Sequence, residues 1–492
     1  MAVKLKRPIL VGGIGLSLLL WLLSSVQNFI TDNSEPTILG IIVVILGVWL
    51  LKRPKYLPSH KPSIILSPTK KAAEEAIALL SITIDKVSMT VEGINKSEKI
   101  SNDITQLHQQ VKIITQELER QELSIVITGN KGVGKTTFTE ILKSQWNSQK
   151  LPKIKVIDIT WEPEWATNNE YAKVNPLSPY DLILFLTTGD LIDSEFQALS
   201  KLTTLGQRFI LIWNKQDLYL PDQKLQVIQK IKETLSTINS EKNLVGISVK
   251  PNPIKVRKYQ QDGTIQEYIE QPLPEISQLT EKLNQLLEEE REKLVWATTI
   301  RKAEIFRLEA QNILNKIRKE RALPVIEKYQ WIAAATAFAN PVPALDLLAT
   351  AAINTQLIVD LSTIYEQKFS IEKGKQVAGT MAELMLKLGL VELSTKTLTT
   401  LLKSNSLTFV AGGAFQAVSA AYLTRVAGMS LVEYFTTQAD TNSVNIDQLG
   451  TIIQGVFSKT QENNFLKSFV TQVMSHVLPQ EKQLEFVSSP AQ

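Results

Sequence analysis

The segment Gly129–Thr136 has the residue types and spacing of a phosphate-binding loop. Its residues, Gly-Asn-Lys-Gly-Val-Gly-Lys-Thr, follow the pattern G-x-x-x-x-G-K-T. The glycines let the backbone curl so that successive N–H groups point at phosphate oxygens. We expect Lys135 to reach the β- and γ-phosphates of a nucleotide, and the Thr136 hydroxyl to bind Mg²⁺.

The segments around this loop supply the context that such a site needs. Leu123–Thr128 is an apolar, β-rich run that predicts a strand, and apolar residues recur at helical spacing from Phe138 to Trp146. In a strand–loop–helix unit the phosphates meet the helix N-terminus, whose dipole favours anions. The predicted phosphate contacts are Gly129, Asn130, Lys131, Gly132, Val133, Gly134, Lys135, Thr136 and Thr137.

Further strand-like runs alternate with helical segments after the loop. The predicted strands are Lys153–Thr160, Asp181–Leu186, Arg208–Trp213 and Asn243–Ser248, and the predicted helices are about Ser194–Leu205, Gln223–Leu235 and Glu275 onward. Such alternation predicts a mostly parallel sheet that is covered on both faces and binds ligands beyond the carboxyl ends of its strands. Before the last helix, Ile254–Glu270 predicts a β-hairpin, because Asp262-Gly263 separates two β-rich arms.

The tetrapeptide Asn214-Lys215-Gln216-Asp217 comes directly after the run Arg208–Trp213. Here the sequence resembles the translation-factor-like GTPases, in which N-K-x-D at a strand end selects guanine. The resemblance implies that Asp217 accepts hydrogen bonds from the guanine N1–H and exocyclic amine, that Asn214 braces the phosphate loop, and that the Lys215 stem packs on the base. Adenine lacks this pair of donors, so the carboxylate would be left unpaired. The expected ligands are therefore GTP and GDP, with Mg²⁺.

A second, shorter match to the same family follows the next strand-like run. Ser248-Val249-Lys250 resembles the S-A-K loop that contacts the base oxygen in those GTPases. Ser248, Val249 and Lys250 are therefore predicted to line the base site together with the N-K-x-D segment.

The sequence departs from this family where switch residues are expected. The family has D-x-x-G after a strand, and the segment in that position, Asp158-Ile159-Thr160-Trp161, lacks the glycine. Asp158 is predicted to help hold Mg²⁺ through water, and a strand-end aspartate without a catalytic role is the alternative. No glutamine occupies the place of a water-positioning residue. The predicted catalytic residues are Lys135, Thr136 and Asp158, and hydrolysis is expected to be slow or to need a group from a partner.

The N-terminal residues 1–55 have the pattern of a membrane hairpin. Pro8–Ile30 is nearly free of charge and long enough to cross a bilayer as a helix. Ile38–Leu51 is a second apolar run, and basic residues lie outside both runs while Asp32–Glu35 lies between them. By the positive-inside rule both flanks stay cytoplasmic. This predicts a multi-pass protein of the cell membrane with its later domains on the cytoplasmic side, and a cleaved signal peptide is the alternative.

Residues 56–121 predict a linker followed by helices. Apolar residues repeat with alternating spacings of four and three, which is a heptad seam. They are Ile100, Ile104, Leu107, Val111, Ile114 and Leu118. We favour packing of Lys99–Arg120 against a second predicted helix of the same chain, Ala72–Val87. Self-association through residues 99–120 is the alternative.

The C-terminal half resembles the YcjF-like helical domain of unknown function, which occurs fused to bacterial GTPases. The resemblance rests on the Asn340–Pro343 turn, Asp346 and the helical segment from Gln356 to Tyr365, and spans roughly Leu294–Phe435. We favour a helical bundle at the membrane surface, and insertion of residues 331–365 and 407–423 into the bilayer is the alternative. After it, Leu466–Val477 predicts one amphipathic surface helix before a loose tail.

These segments together predict the fold class. It is an α/β P-loop GTPase domain with a mostly parallel sheet, between an N-terminal transmembrane hairpin and a C-terminal all-α domain. The predicted domains are a hairpin (1–55), a linker with a helical or coiled-coil segment (56–121), the GTPase domain (122–292), the YcjF-like domain (293–437) and an amphipathic helix with a tail (438–492).

Composition limits the kinds of function that remain. The chain has no cysteine, three histidines and a net charge of +4. Disulfides and thiolate chemistry are thereby excluded, and a nucleic-acid partner is not expected. The predicted partners are the lipid bilayer and an unidentified protein, with self-association through 99–120 or the helical domain left open. A membrane-anchored GTP-binding switch is the preferred function, and a membrane scaffold with a structural nucleotide, or an ATPase, are the alternatives.

Overall fold

A computed structural model describes most of the chain after its N-terminal region. The described residues are 68–91, 98–145, 154–160, 177–259, 265–339, 343–367, 369–403, 412–437, 444–461 and 463–477. The chain divides into two compact units, Met1–Ile64 and Ile65–Gln492, and all of the described residues belong to the second.

Two helices precede the first strand in the part of the chain that the structure describes. They are α1 (Lys70–Val91) and α2 (Glu98–Glu117). The backbone N–H of Ala72 donates to Thr69 Oγ1 at 3.2 Å, so a side chain satisfies one of the free donors at the start of α1. Leu107 and Ile114, one heptad apart on α2, are buried in a cluster shared with α1. The seam predicted from the sequence therefore packs within this chain.

A five-stranded parallel sheet organises the α/β domain. Its elements follow in the order β1 (Leu123–Gly129), α3 (Lys135–Gln145), β2 (Ile154–Thr160), β3 (Leu182–Thr187), α4 (Asp193–Thr204), β4 (Phe209–Trp213), α5 (Pro221–Ser236) and β5 (Leu244–Gly246). The order across the sheet is β2-β1-β3-β4-β5, and all neighbours are parallel. The direction of strand addition reverses between β1 and β3, and ligands of such sheets bind beyond the carboxyl ends at this switch point.

The central strands are buried on both faces. In β4, Ile210 and Ile212 belong to one apolar cluster, while Leu211 and Trp213 belong to the cluster on the opposite face. Parallel strands that are covered by helices on both faces have nearly continuous apolar sequences. The sequence therefore predicts them well. The predicted strands are confirmed, with ends that differ by at most two residues.

An antiparallel hairpin follows the sheet. Strands β6 (Ile254–Tyr259) and β7 (Ile265–Glu270) pair with Val256 opposite Tyr268. Nearly all of their side chains are exposed. The hairpin predicted from Asp262-Gly263 is confirmed, and its turn lies outside the described residues.

One long helix, α6 (Ser277–Ala339), connects the sheet to the rest of the molecule. Its 63 residues correspond to a length of about 95 Å at the usual rise per residue. Leu283 packs in the sheet core, Leu314 in the cluster with α1 and α2, and Ile326 in the C-terminal core. Pro324 lies inside this helix, where a proline removes one backbone hydrogen bond, and the helix continues through it.

Among the described residues, six further helices pack with the end of α6 around one apolar core. They are α7 (Pro343–Ile364), α8 (Ile371–Lys387), α9 (Leu390–Lys403), α10 (Gly412–Thr437), α11 (Ile446–Thr460) and α12 (Asn463–Val477). The rings of Trp331 on α6 and His476 on α12 stack with their centroids 4.1 Å apart. The end of the described chain is thereby attached to the long helix.

The last two helices differ from the sequence prediction of one surface helix and a tail. Leu449 and Ile453 of α11, like Leu466 and Phe469 of α12, are buried in the C-terminal core. Both helices are therefore part of the helical domain rather than additions to its surface. The apolar spacing of α11 is typical of an amphipathic helix, but the polar residues that flank it make the helix hard to recognise in the sequence.

The predicted fold class needs one correction, because it included a transmembrane hairpin. Within the described stretches, no helix is both long enough and apolar enough to cross a membrane. The hairpin predicted for residues 1–55 lies outside them. The described fold is an α/β domain with a mostly parallel sheet, followed by an all-α domain.

Candidate nucleotide-binding site

The loop between β1 and α3 depends on glycine at defined positions. Gly129, Gly132 and Gly134 have φ values of 147°, 82° and 93°, which residues with a side chain rarely adopt. A Cβ atom on Gly129 would lie 2.3 Å from the carbonyl oxygen of Leu186, and one on Gly134 would lie 2.6 Å from Nδ2 of Asn214. The loop can therefore curl tightly against β3 and β4 only with these glycines.

Lys135 lies across this loop. Its Nζ donates hydrogen bonds to the backbone carbonyl oxygens of Gly129 and Asn130, each at 3.1 Å. Lys135 is also the first residue of α3, so the site contains both its ammonium group and the free backbone N–H groups of the first helical turn. Thr136 is exposed in the same turn. A phosphate group in the loop could contact a cation, backbone N–H donors and a hydroxyl together. This set of groups fits the phosphates of a nucleotide.

Asn214 joins the end of β4 to this loop. It is fully buried, and its Nδ2 donates to the carbonyl oxygen of Val133 at 2.9 Å. Its Oδ1 accepts from the backbone N–H of Val249 at 3.2 Å. Both ends of one amide thus tie the phosphate loop to the loop after β5.

The next residues of the N-K-x-D segment also contact these loops. Lys215 has a left-handed backbone (φ 64°), and its Nζ donates to the carbonyl oxygen of Gly132 at 3.0 Å. The backbone N–H of Asp217 donates to Ser248 Oγ at 3.2 Å, and Asp217 Oδ2 accepts from the N–H of Asn252 at 3.1 Å. The carboxylate of Asp217 is thereby held beside the loop that follows β5.

The other predicted site residues lie less centrally. Lys131 and Lys250 are exposed, and Thr137 is half-buried on the first turn of α3. Asp158 is on β2 with its backbone opposite Ile127 of β1, and the side chains of β2 lie outside the described part of the structure. Binding of Mg²⁺ by Thr136 and Asp158 stays a prediction.

Glu195 is a site residue that the sequence analysis missed. It lies on the first turn of α4, its exposed fraction is 2%, and its Oε1 accepts from Nδ2 of Asn130 at 2.6 Å. Its Oε2 accepts from the backbone N–H of Ile192 at 3.3 Å and lies 3.5 Å from Thr187 Oγ1. The carboxylate therefore contacts the phosphate loop directly.

Burial changes the acid strength of Glu195. Loss of solvent raises the pKa of its carboxyl above the ordinary value of 4.5, and hydrogen bonds from Ile192, Thr187 and Asn130 oppose the rise only in part. The sequence signal was weak, because a glutamate that reaches back to the start of a helix is normally recognised from serine, threonine or aspartate three residues earlier. Ile192 stands in that position.

The loop between β3 and α4 also contacts a residue that closely follows the N-K-x-D segment. Tyr219 Oη donates to the carbonyl oxygen of Thr188 at 3.0 Å. Asp190, at the exposed tip of this loop, forms an ion pair with Lys230 of α5. Residues 188–192 are thus fixed by Tyr219 on one side and by Glu195 on the other.

The opposite edge of the sheet holds a separate charged cluster. Asp181, buried at the start of β3, is paired with Arg120 and accepts from the backbone N–H of Ser124 at 2.6 Å. Arg301 of α6 donates to the carbonyl oxygen of Tyr180 at 3.1 Å. Burial lowers the pKa of Arg301 to about 10, and the charge of Asp181 partly offsets this. This cluster attaches α6 to the amino edge of the sheet.

Two protein-family models match the chain. The model of the KAP family P-loop domain matches residues 103–298, and the model of a domain of unknown function, DUF697, matches residues 300–462. No curated protein matches the chain. The chain therefore carries a P-loop NTPase domain, which binds nucleotide, followed by a helical domain. The predicted fusion is confirmed at this level. The matched P-loop model is that of the KAP family and not that of the translation-factor-like GTPases.

Proposed function

We propose that the chain is a GTP-binding protein, in which the P-loop domain works as a slow GTPase switch on the helical domain. The observation that carries this proposal is the position of Asn214-Lys215-Gln216-Asp217. The segment contacts the phosphate loop through Asn214 and Lys215, and presents Asp217 beside the loop after β5. A base-recognition loop of a P-loop protein needs this proximity to the phosphates.

The chemistry of Asp217 suits guanine. An ionised carboxylate has about four acceptor positions. The N–H of Asn252 uses one of them, so the group has capacity for the N1–H and exocyclic amine of guanine. Adenine offers no such donor pair, and binding it would cost the carboxylate its solvation without replacing the lost hydrogen bonds.

The phosphate end of the site provides the remaining interactions. Lys135 would transfer its hydrogen bonds from the carbonyl oxygens of Gly129 and Asn130 to the β- and γ-phosphates. Bound Mg²⁺ would neutralise developing charge on the phosphates, with Thr136 as its protein ligand. The segment Asp158–Trp161 lacks the glycine of D-x-x-G, and this supports slow rather than rapid hydrolysis.

The long helix α6 supports an action on the helical domain. It packs in the sheet core through Leu283 and in the C-terminal core through Ile326. Arg301 attaches it to the sheet between these two points. A rigid element shared by two cores transmits a displacement of one to the other, since packed interfaces do not deform continuously.

Exchange of Asp217 for asparagine tests the choice of base. Asp217→Asn replaces an acceptor with a donor, so we expect the affinity for Mg·GTP to fall about 100-fold and the affinity for Mg·XTP to rise. Titration calorimetry on the full chain measures both. Asp222→Asn is the matched control, because Asp222 is an exposed aspartate on the first turn of α5. Equal losses for GTP and ATP, or no change for either, would overturn the assignment of Asp217.

A further inference from the structure

The side chains of Glu195 and Asn130 form a contact at the phosphate loop that does not itself involve the phosphate-binding groups. Asn130 is the second residue of the phosphate loop, and its side chain donates to a carboxylate from another element at 2.6 Å. Glu195 is nearly inaccessible to solvent. A buried carboxylate is costly unless its hydrogen bonds are made. The burial of this group therefore depends on the shape of the loop.

The two functional groups of Asn130 link Glu195 to Lys135. The side-chain amide of Asn130 is bonded to Glu195, and its backbone carbonyl oxygen accepts from Lys135 Nζ at 3.1 Å. Asn130 supplies one of the two carbonyl oxygens that accept from Lys135 Nζ, the other being that of Gly129, so the orientation of Asn130 influences where the lysine ammonium lies. Glu195 thus acts on Lys135 through Asn130.

The second oxygen of Glu195 reaches the loop after β3. It accepts from the backbone N–H of Ile192, at the end of the segment 188–192. A movement of Asn130 that weakens one contact of the carboxylate alters the other as well, because the two oxygens belong to one rigid group. The phosphate loop and the segment 188–192 are therefore mechanically connected through one side chain.

We propose that Glu195 is a positioning residue of the nucleotide site, which holds Asn130 in place and couples phosphate binding to the segment 188–192. This inference rests on the proposed nucleotide binding but not on the choice of guanine. It assigns the response to nucleotide to the loop between β3 and α4, where the carboxyl ends of β1 and β3 meet.

A double-mutant cycle tests the contact. Asn130→Ala and Glu195→Ala each remove the same hydrogen bond, so each should weaken nucleotide binding about five- to tenfold, measured with Mg·GTP or, if the natural chain binds only ATP, with Mg·ATP. The double variant should bind no more weakly than the weaker-binding of the two single variants. Asp193→Ala is the control. Asp193 is an exposed carboxylate on the same helical turn that bonds Gln197 rather than the loop, and its removal should leave affinity unchanged.

The conservative variant separates positioning from a general loss of structure. Glu195→Gln keeps an oxygen that can accept from Asn130, and we expect it to restore affinity to within about threefold of the natural chain. Hydrogen exchange of residues 188–192 gives a second readout. Mg·GTP should slow exchange there in the natural chain and in Asp193→Ala, but much less in Asn130→Ala.

The outcomes separate this inference from the proposed function. Absence of nucleotide binding by the natural chain would refute both. If the natural chain binds Mg·GTP while the losses of the two single variants multiply in the double variant, Glu195 does not act through Asn130. An equal slowing of exchange at 188–192 in Asn130→Ala would also overturn the coupling. If Glu195→Ala does not fold, the affinities of Asn130→Ala and Glu195→Gln still decide.

Discussion

The phosphate loop and the segments that contact it could be recognised in the sequence because their residue spacing follows from geometry. Gly134 is required by the close approach of Asn214, which lies only 2.6 Å from the position of a Cβ atom there. Glu195 was not predictable in the same way. Its role arises from a contact with Asn130, 65 residues earlier in the chain, and no local sequence pattern indicates such a contact.

The titration of Glu195 gives a prediction at the residue scale. Because its pKa is raised in the folded chain, the native state binds this proton more tightly than the unfolded state. The resulting stabilisation is complete below pH 4.5, the ordinary value, and is lost as pH rises through the folded pKa. Glutamine carries no such proton, so Glu195→Gln should gain stability relative to the natural chain as pH rises from 4.5 towards neutrality.

Urea unfolding of both chains at a series of pH values measures this difference. Other titrating groups are common to the two chains, so their contributions cancel. A difference in unfolding free energy that stays constant between acid and neutral pH would show that the carboxyl is not perturbed by its burial.

At the scale of elements, the strands were easier to predict than the extent of the long helix α6. The buried strands are continuous apolar runs, and their limits follow from the sequence. The continuity of α6 through Pro324 does not follow from the sequence, since a proline in a helix interior destabilises the helix by about 3 kcal/mol. Burial of Ala322 and Ile326 on either side of it holds the helix together. This tertiary packing is not visible in the local sequence.

Two glycines in helices of the C-terminal domain should respond oppositely to alanine. A Cβ atom on Gly428 of α10 would lie 2.8 Å from Cγ1 of Ile326 on α6, so Gly428→Ala should separate the two helices and cost about 1–3 kcal/mol. A Cβ atom on Gly379 of α8 would meet nothing within 4 Å, so Gly379→Ala should stabilise by up to about 1 kcal/mol through helix propensity.

Thermal unfolding of the two variants beside the natural chain provides the comparison. The signs of the two shifts matter more than their sizes. If Gly428→Ala unfolds at the same or a higher temperature than the natural chain, α10 does not pack on α6 as closely as described.

At the scale of the whole molecule, the two matched domains share one helix. The boundary between the matches, at residues 298 and 300, lies inside α6. Glu366, just after α7, is paired with Arg318 of α6 at 2.8 Å and with Lys86 of α1 at 3.6 Å. The sequence predicted two adjacent domains, but not this shared element, because contacts between distant segments leave no periodic signal. An unidentified protein partner and self-association stay predictions.

We propose that this P-loop domain prefers guanine, and a direct comparison of two nucleotides tests that preference. Titration calorimetry of the full chain with Mg·GTP and with Mg·ATP should give saturable GTP binding at one site and ATP binding at least about 100-fold weaker. Lys135→Ala, which removes the ammonium that lies across the loop, should abolish the GTP signal. Binding of Mg·ATP as tight as or tighter than that of Mg·GTP would show that the domain does not select guanine.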